Sequence, residues 1–116
     1  MNEPKNIFDL DQALELAGDD QELPECIAGK FWNRYPELMA AIHHAFESSN
    51  YEEGRDAAHE LKGNAAYLCA TEVYTLAARL ELSFKERRPE DARKDYVLLE
   101  AAFNRLKTHP DMAHYA

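Results

Sequence analysis

His59, Lys62 and Gly63 stand within one short stretch and combine types suited to group transfer. A neutral imidazole carries a ring-nitrogen lone pair and can act as a nucleophile without a separate base. An exposed histidine, with an ordinary pKa of about 6.5, is mostly neutral near pH 7. On a helical wheel of about 100° per residue, Leu61, Ala65 and Leu68 form a core face, with Ala57 and Ala58 at its margins. His59 points the opposite way, into solvent. Around it lie Arg55, Asp56, Lys62, Gly63, Ala66 and Ala70. A glycine inside a helix costs about 1 kcal/mol against alanine. That cost has a reason if a bulky object must approach the imidazole and a side chain at 63 would block it.

The elements that must position this stretch all read as helices, because no period-2 strand pattern of useful length occurs. A short first helix is expected over about 9–17, with Asp9 as N-cap, Leu10 and Leu14 as its buried stripe and Gly18 as its stop. A second starts between Asp20 and Pro24. Its stripe is Leu23, Ile27, Phe31, Tyr35, Leu38, Ile42 and Phe46, which passes through Pro36 without losing phase. This predicts one long helix, kinked at the proline. Asn50 and Glu53 make a capping-box-like start for the third helix, which should run to about Leu68. Thr71 opens a fourth, with Val73, Leu76, Leu80 and Phe84 inside. Pro89 lies in the first turn of a fifth, whose stripe is Ala92, Tyr96, Leu99, Phe103 and Leu106. His109-Pro110 ends it. Short connections make consecutive helices antiparallel neighbours. The expected fold is all-α: an antiparallel four-helix up-down bundle with a short extra N-terminal helix. It forms a single domain over 1–116, with tails at about 1–6 and 109–116.

At this point the chain resembles a family. Ala58-His59-Glu60-Leu61-Lys62-Gly63-Asn64-Ala65 is similar to the A-H-x-L-K-G-x-[AS] signature of histidine-containing phosphotransfer (HPt) domains. Tyr67-Leu68-Cys69-Ala70 continues it. Leu80-Glu81 matches the L-[EQ] that closes the pattern on the next helix. Asn50 stands where the family often has Asp, and Pro36 at the usual proline of the second helix. Cys69 departs from the pattern, which commonly has glycine there. Glycine permits a left-handed cap, so cysteine either strains that geometry or lets the helix run on.

The resemblance implies a phosphorelay intermediate. It would carry a phosphoryl group on His59 between receiver-domain aspartates in two-component signalling. Nε2 of His59 would be the nucleophile. Lys62, one turn on, would neutralise phosphoryl oxygens. Gly63 would clear the approach. Glu81 would hold Nδ1–H and fix the tautomer, with Asp56 a competitor for that role. The implied partners are receiver domains of response regulators or a hybrid sensor kinase. The receiver would supply Mg²⁺, so no cofactor or metal site is expected in this chain. The chain has neither a P-loop nor a kinase glycine loop, so a carrier is expected rather than a kinase. The alternative is a non-phosphorylated helical module that docks receiver or kinase domains.

Composition narrows the remaining classes. The 116 residues suit one domain, and 46 % hydrophobic content argues against disorder. No apolar run approaches membrane-spanning length, and the N-terminus lacks a signal-peptide pattern. Cys26 and Cys69 do not make a disulfide framework, so a cytoplasmic location is expected. The net charge is −9. Residues 1–58 carry 13 acids against 4 bases, whereas 59–116 carry 9 of each. This balance disfavours nucleic acid as a partner, and a monomer is expected. A ferritin-like metal bundle would need paired Glu-x-x-His motifs. The chain offers Asp56-x-x-His59 once, and His43 and His44 diverge on one helix.

Overall fold

A computed structural model describes residues 7–18 and 23–113. The chain forms α1 (Leu10–Ala17), α2 (Leu23–Ser48), α3 (Tyr51–Leu68), α4 (Thr71–Lys85), α5 (Pro89–Thr108) and α6 (Pro110–Ala113). Helices α2 to α5 are the antiparallel bundle, with α1 as the short extra helix. The expected tail at 1–6 and the start of the second helix at Asp20 lie outside the described residues.

The helix starts follow from the capping residues. Asp9 accepts a hydrogen bond from the Gln12 N–H at 3.0 Å, and Gly18, at φ 62°, closes α1. Asn50 accepts from the Glu53 N–H at 3.1 Å and starts α3. Pro89 occupies the first turn of α5, where its missing N–H costs nothing. Pro36 sits exposed inside α2, and the helix continues through it to Ser48.

The core lies between the four long helices. Leu61, Val73, Leu80, Leu99 and Leu106 are fully buried. Each contributes on the order of 1.5–3 kcal/mol relative to exposure. Large rings fill the seam between α2 and α5: Tyr35 packs on Phe103 at 4.4 Å, and Phe46 on Tyr96 at 5.5 Å. The α3 side is lined instead by small residues, Gly54, Ala57, Ala58 and Ala65. A Cβ on Gly54 would stand 2.5 Å from the Phe84 ring, so only glycine lets α3 and α4 close there.

Three details differ from the sequence expectations. Leu14 is 47 % exposed. Helix α1 is short and docks mainly through Ala13 with half-buried Leu10 and Ala17, leaving Leu14 at the margin. Ala70 is fully buried rather than on the His59 face, because α3 ends at Leu68 and the wheel does not reach it. From residue 109 the chain stays on the bundle through 113. His109 and Met112 are buried, His109 Nδ1 accepts the Asp111 N–H at 3.1 Å, and the Phe8 ring meets His109 edge-on.

Cys69 resolves the question of the α3 terminus. It adopts the left-handed conformation (φ 61°, ψ 33°) that glycine takes at no steric cost. Its N–H bonds back to Ala66, its carbonyl accepts the Asp9 N–H at 3.0 Å, and its side chain is buried. Burial pushes its thiol above the ordinary range, which makes it an inert apolar filler.

Candidate functional site

Two buried anchors set the rotation of α3. Ala58 and Leu61 have no exposed surface, so the intervening His59 is turned outward, with its side chain 68 % exposed. On α4, fully buried Leu80 does the same for Glu81 and aims it at the α3–α4 seam.

There Glu81 meets two of the residues singled out from sequence. Its Oε2 lies 2.8 Å from His59 Nδ1, and its Oε1 lies 2.6 Å from Lys62 Nζ. Burial alone would raise the Glu81 pKa. Hydrogen bonds from Lys62 and then His59 outweigh it and hold the carboxyl below the usual range. The hydrogen bond to Glu81 likewise raises the Lys62 ammonium above its ordinary value. An ionised carboxylate only accepts. The hydrogen bond is therefore donated by His59 Nδ1–H to Glu81.

Gly63 is exposed, and a Cβ built on it would meet nothing within 4 Å. No intramolecular packing demands glycine here, in contrast to Gly54. Asp56, the other candidate to orient the imidazole, is exposed and pairs with Arg55 at 3.8 Å. His43 and His44 each face a different acid, Glu47 and Glu53. Among the described residues no group of three His, Cys, Asp or Glu could hold a metal ion.

Sequence reasoning missed the neighbour of His59 on its other side. Glu60 receives a bidentate pair from Arg34 of α2, with Nε–Oε2 at 2.6 Å and Nη2–Oε1 at 3.0 Å. Arg34 also bonds Glu37. The guanidinium holds Glu60 below the ordinary carboxylate range. Asp95 was also missed. It is buried, accepts from Ser83 at 3.1 Å and pairs with Arg79 at 3.0 Å, tying α4 to α5.

An exposed histidine in hydrogen-bond contact with a carboxylate, beside a lysine and a bare glycine, sits on the third of these helices. The family model described as "Hpt domain" matches residues 26–109. The chain belongs to the Hpt domain family. Neither the curated proteins nor the solved structures gave a match. Hpt domains perform histidine phosphotransfer in phosphorelays and interact with receiver domains. The Hpt match is to a phosphotransfer carrier and includes no kinase domain. Helix α1 precedes the matched span. Among the described residues no helix is long and apolar enough to cross a membrane.

Proposed function

We propose that His59 is the phosphoryl carrier of this Hpt domain and that Nε2 is its nucleophile. The observation that carries the reading is the 2.8 Å contact of Glu81 Oε2 with His59 Nδ1. Nε2 attacks the phosphorus of a receiver's aspartyl phosphate. The N–P bond forms, the P–O bond to the aspartate breaks, and the carboxylate departs with that electron pair. No proton needs to leave His59, because Nδ1–H stays on the ring. Glu81 then faces the positive charge that develops on the imidazole. Transfer onward is the same reaction reversed onto a second receiver.

Lys62 shares the Glu81 carboxylate and stands one turn from His59. Its ammonium swings between Glu81 and the phosphoryl oxygens, which suits a group that arrives and leaves. Gly63 leaves room for the receiver's loops. Mg²⁺ comes with the receiver and balances charge on the phosphoryl group. The partners are receiver domains of response regulators or of a hybrid sensor kinase. In this reading the protein is a cytoplasmic carrier with no kinase activity of its own. The test is transfer of labelled phosphate from phosphorylated receivers to wild type and to His59→Gln. Acid-labile, alkali-stable label on wild type alone supports the reading. Equal label on both proteins refutes it.

A further inference from the structure

We infer that the outer face of α4 and α5 is a two-fold contact for a second copy of this chain, which makes the protein a reversible dimer with His59 exposed in both copies. The face lies away from His59. On α4, Glu81 turns toward α3, whereas Arg79 and Ser83 turn toward α5. Between these directions Leu82 stands 51 % exposed. On α5, Val97 is 62 % and Leu98 43 % exposed. A groove of about 320 Å³ runs between the two helices, with Leu82 and Asp91 in its walls. The Arg79–Asp95 and Arg105–Glu72 contacts fix the antiparallel register and set half-buried Ala78 level with Leu98. The monomer expected from sequence leaves these apolar side chains unpartnered.

The charges on this face point to its occupant. Asp91, Leu98 and Arg105 are exposed and evenly spaced by seven residues, so they share one side of α5. A two-fold axis through Leu98 lays α5 antiparallel on its copy. It brings Leu98 against Leu98 of the second copy, and Asp91 against Arg105 at both ends. This reciprocity, in which each residue meets a partner that meets it in return, is what a closed dimer requires. Arg105 holds Glu72 through Nε at 2.8 Å, and a guanidinium has donors enough to bridge a second carboxylate. Net charge favours the same face. The whole excess of −9 lies in residues 1–58, whereas residues 59–116 carry 9 acids and 9 bases. Copies that met through α1 and α2 would repel, and copies that meet through α4 and α5 do not. The face measures about 22 Å along α4 and about 20 Å across the two helices, about 450 Å². That suits a small, reversible interface of less than about 600 Å² per partner.

The experiment is sedimentation equilibrium of the full chain from micromolar to millimolar concentration. Wild type is compared with Leu98→Asp, Asp91→Arg and Arg105→Asp, and circular dichroism checks that each variant is folded. The expected result is a wild-type mass that rises from one chain to two. Each folded variant should raise the dissociation constant at least about tenfold. Mixing Asp91→Arg with Arg105→Asp sets opposite charges at both ends of the contact, so the mixture should pair more tightly than either variant alone. Leu98→Asp and Asp91→Arg alter exposed side chains and test the face even where Arg105→Asp, which also releases Glu72, does not fold. A wild type that stays a single chain at millimolar concentration overturns the inference. So does a dimer that Leu98→Asp and Asp91→Arg leave unchanged, and so does a mixture of the two folded charge variants that pairs no better than its parts. The readout is mass, so its failure is distinct from a failure of His59 to carry phosphate.

Discussion

Glu81 Oε2 lies 2.8 Å from His59 Nδ1, across the seam between α3 and α4. The contact sets a carboxylate against Nδ1 and ties the ring's orientation to the packing of two helices. Glu81→Ala should leave the fold intact and release the ring to both tautomers. Phosphoryl acceptance should slow about tenfold, corresponding to about 1.4 kcal/mol of transition-state stabilisation. Rapid-quench transfer assays check this, with thermal melts as the control for folding.

The Lys62 contact makes a titration prediction. Lys62 and His59 hold Glu81 below the ordinary carboxylate range. Its folded pKa is depressed, so its stabilisation is present above the unfolded value and is lost as pH falls through the folded one. Lys62 is shifted upward. Its share is present below the ordinary lysine value and is lost as pH rises through the folded one. In Lys62→Ala the Glu81 carboxyl should titrate at higher pH than in wild type, read by carbon-13 NMR of the side chain. The same variant should also shorten the lifetime of the phosphohistidine.

Two glycines of α3 should respond oppositely to substitution. Gly63→Ala meets open space and gains helix propensity, so it should stabilise the protein by about 1 kcal/mol. Gly63→Gln should fold equally well yet impair transfer by bulk. Gly54→Ala drives a methyl into the Phe84 ring and should destabilise by about 1–3 kcal/mol. Denaturant unfolding of the variants checks all three.

Cys69 offers a third contrast. Cys69→Gly relieves the left-handed strain, worth about 1–2 kcal/mol, and gives up the burial of a small side chain, so it should stay within about 1 kcal/mol of wild type. Cys69→Val places a β-branched residue at φ 61° and should be clearly destabilising in thermal melts.

The α3 face was legible because the spacing of Leu61, Ala65 and Leu68 fixes the wheel, and His59 lies opposite. Gly63 stood out because its cost had no local excuse. The choice between Glu81 and Asp56 was not legible from geometry. Both were reachable on paper, and it is the rotation of α4 about buried Leu80 that brings Glu81 to the ring. Arg34 and Glu60 are 26 residues apart and belong to no local pattern. Nothing local marks Asp95, between Lys94 and Tyr96, as buried, because its burial depends on Ser83 and Arg79 arriving from another helix. Leu14 fitted the stripe of an amphipathic helix, but an eight-residue helix has too little contact to bury all of it.

The most direct measurement is long-range ¹H–¹⁵N correlation of the His59 ring at neutral pH, before and after phosphorylation by a receiver. The account predicts a neutral ring protonated at Nδ1 before transfer, and phosphorus bonded to Nε2 afterwards. A ring protonated at Nε2 before transfer, or phosphorus on Nδ1 or on another residue, would contradict it.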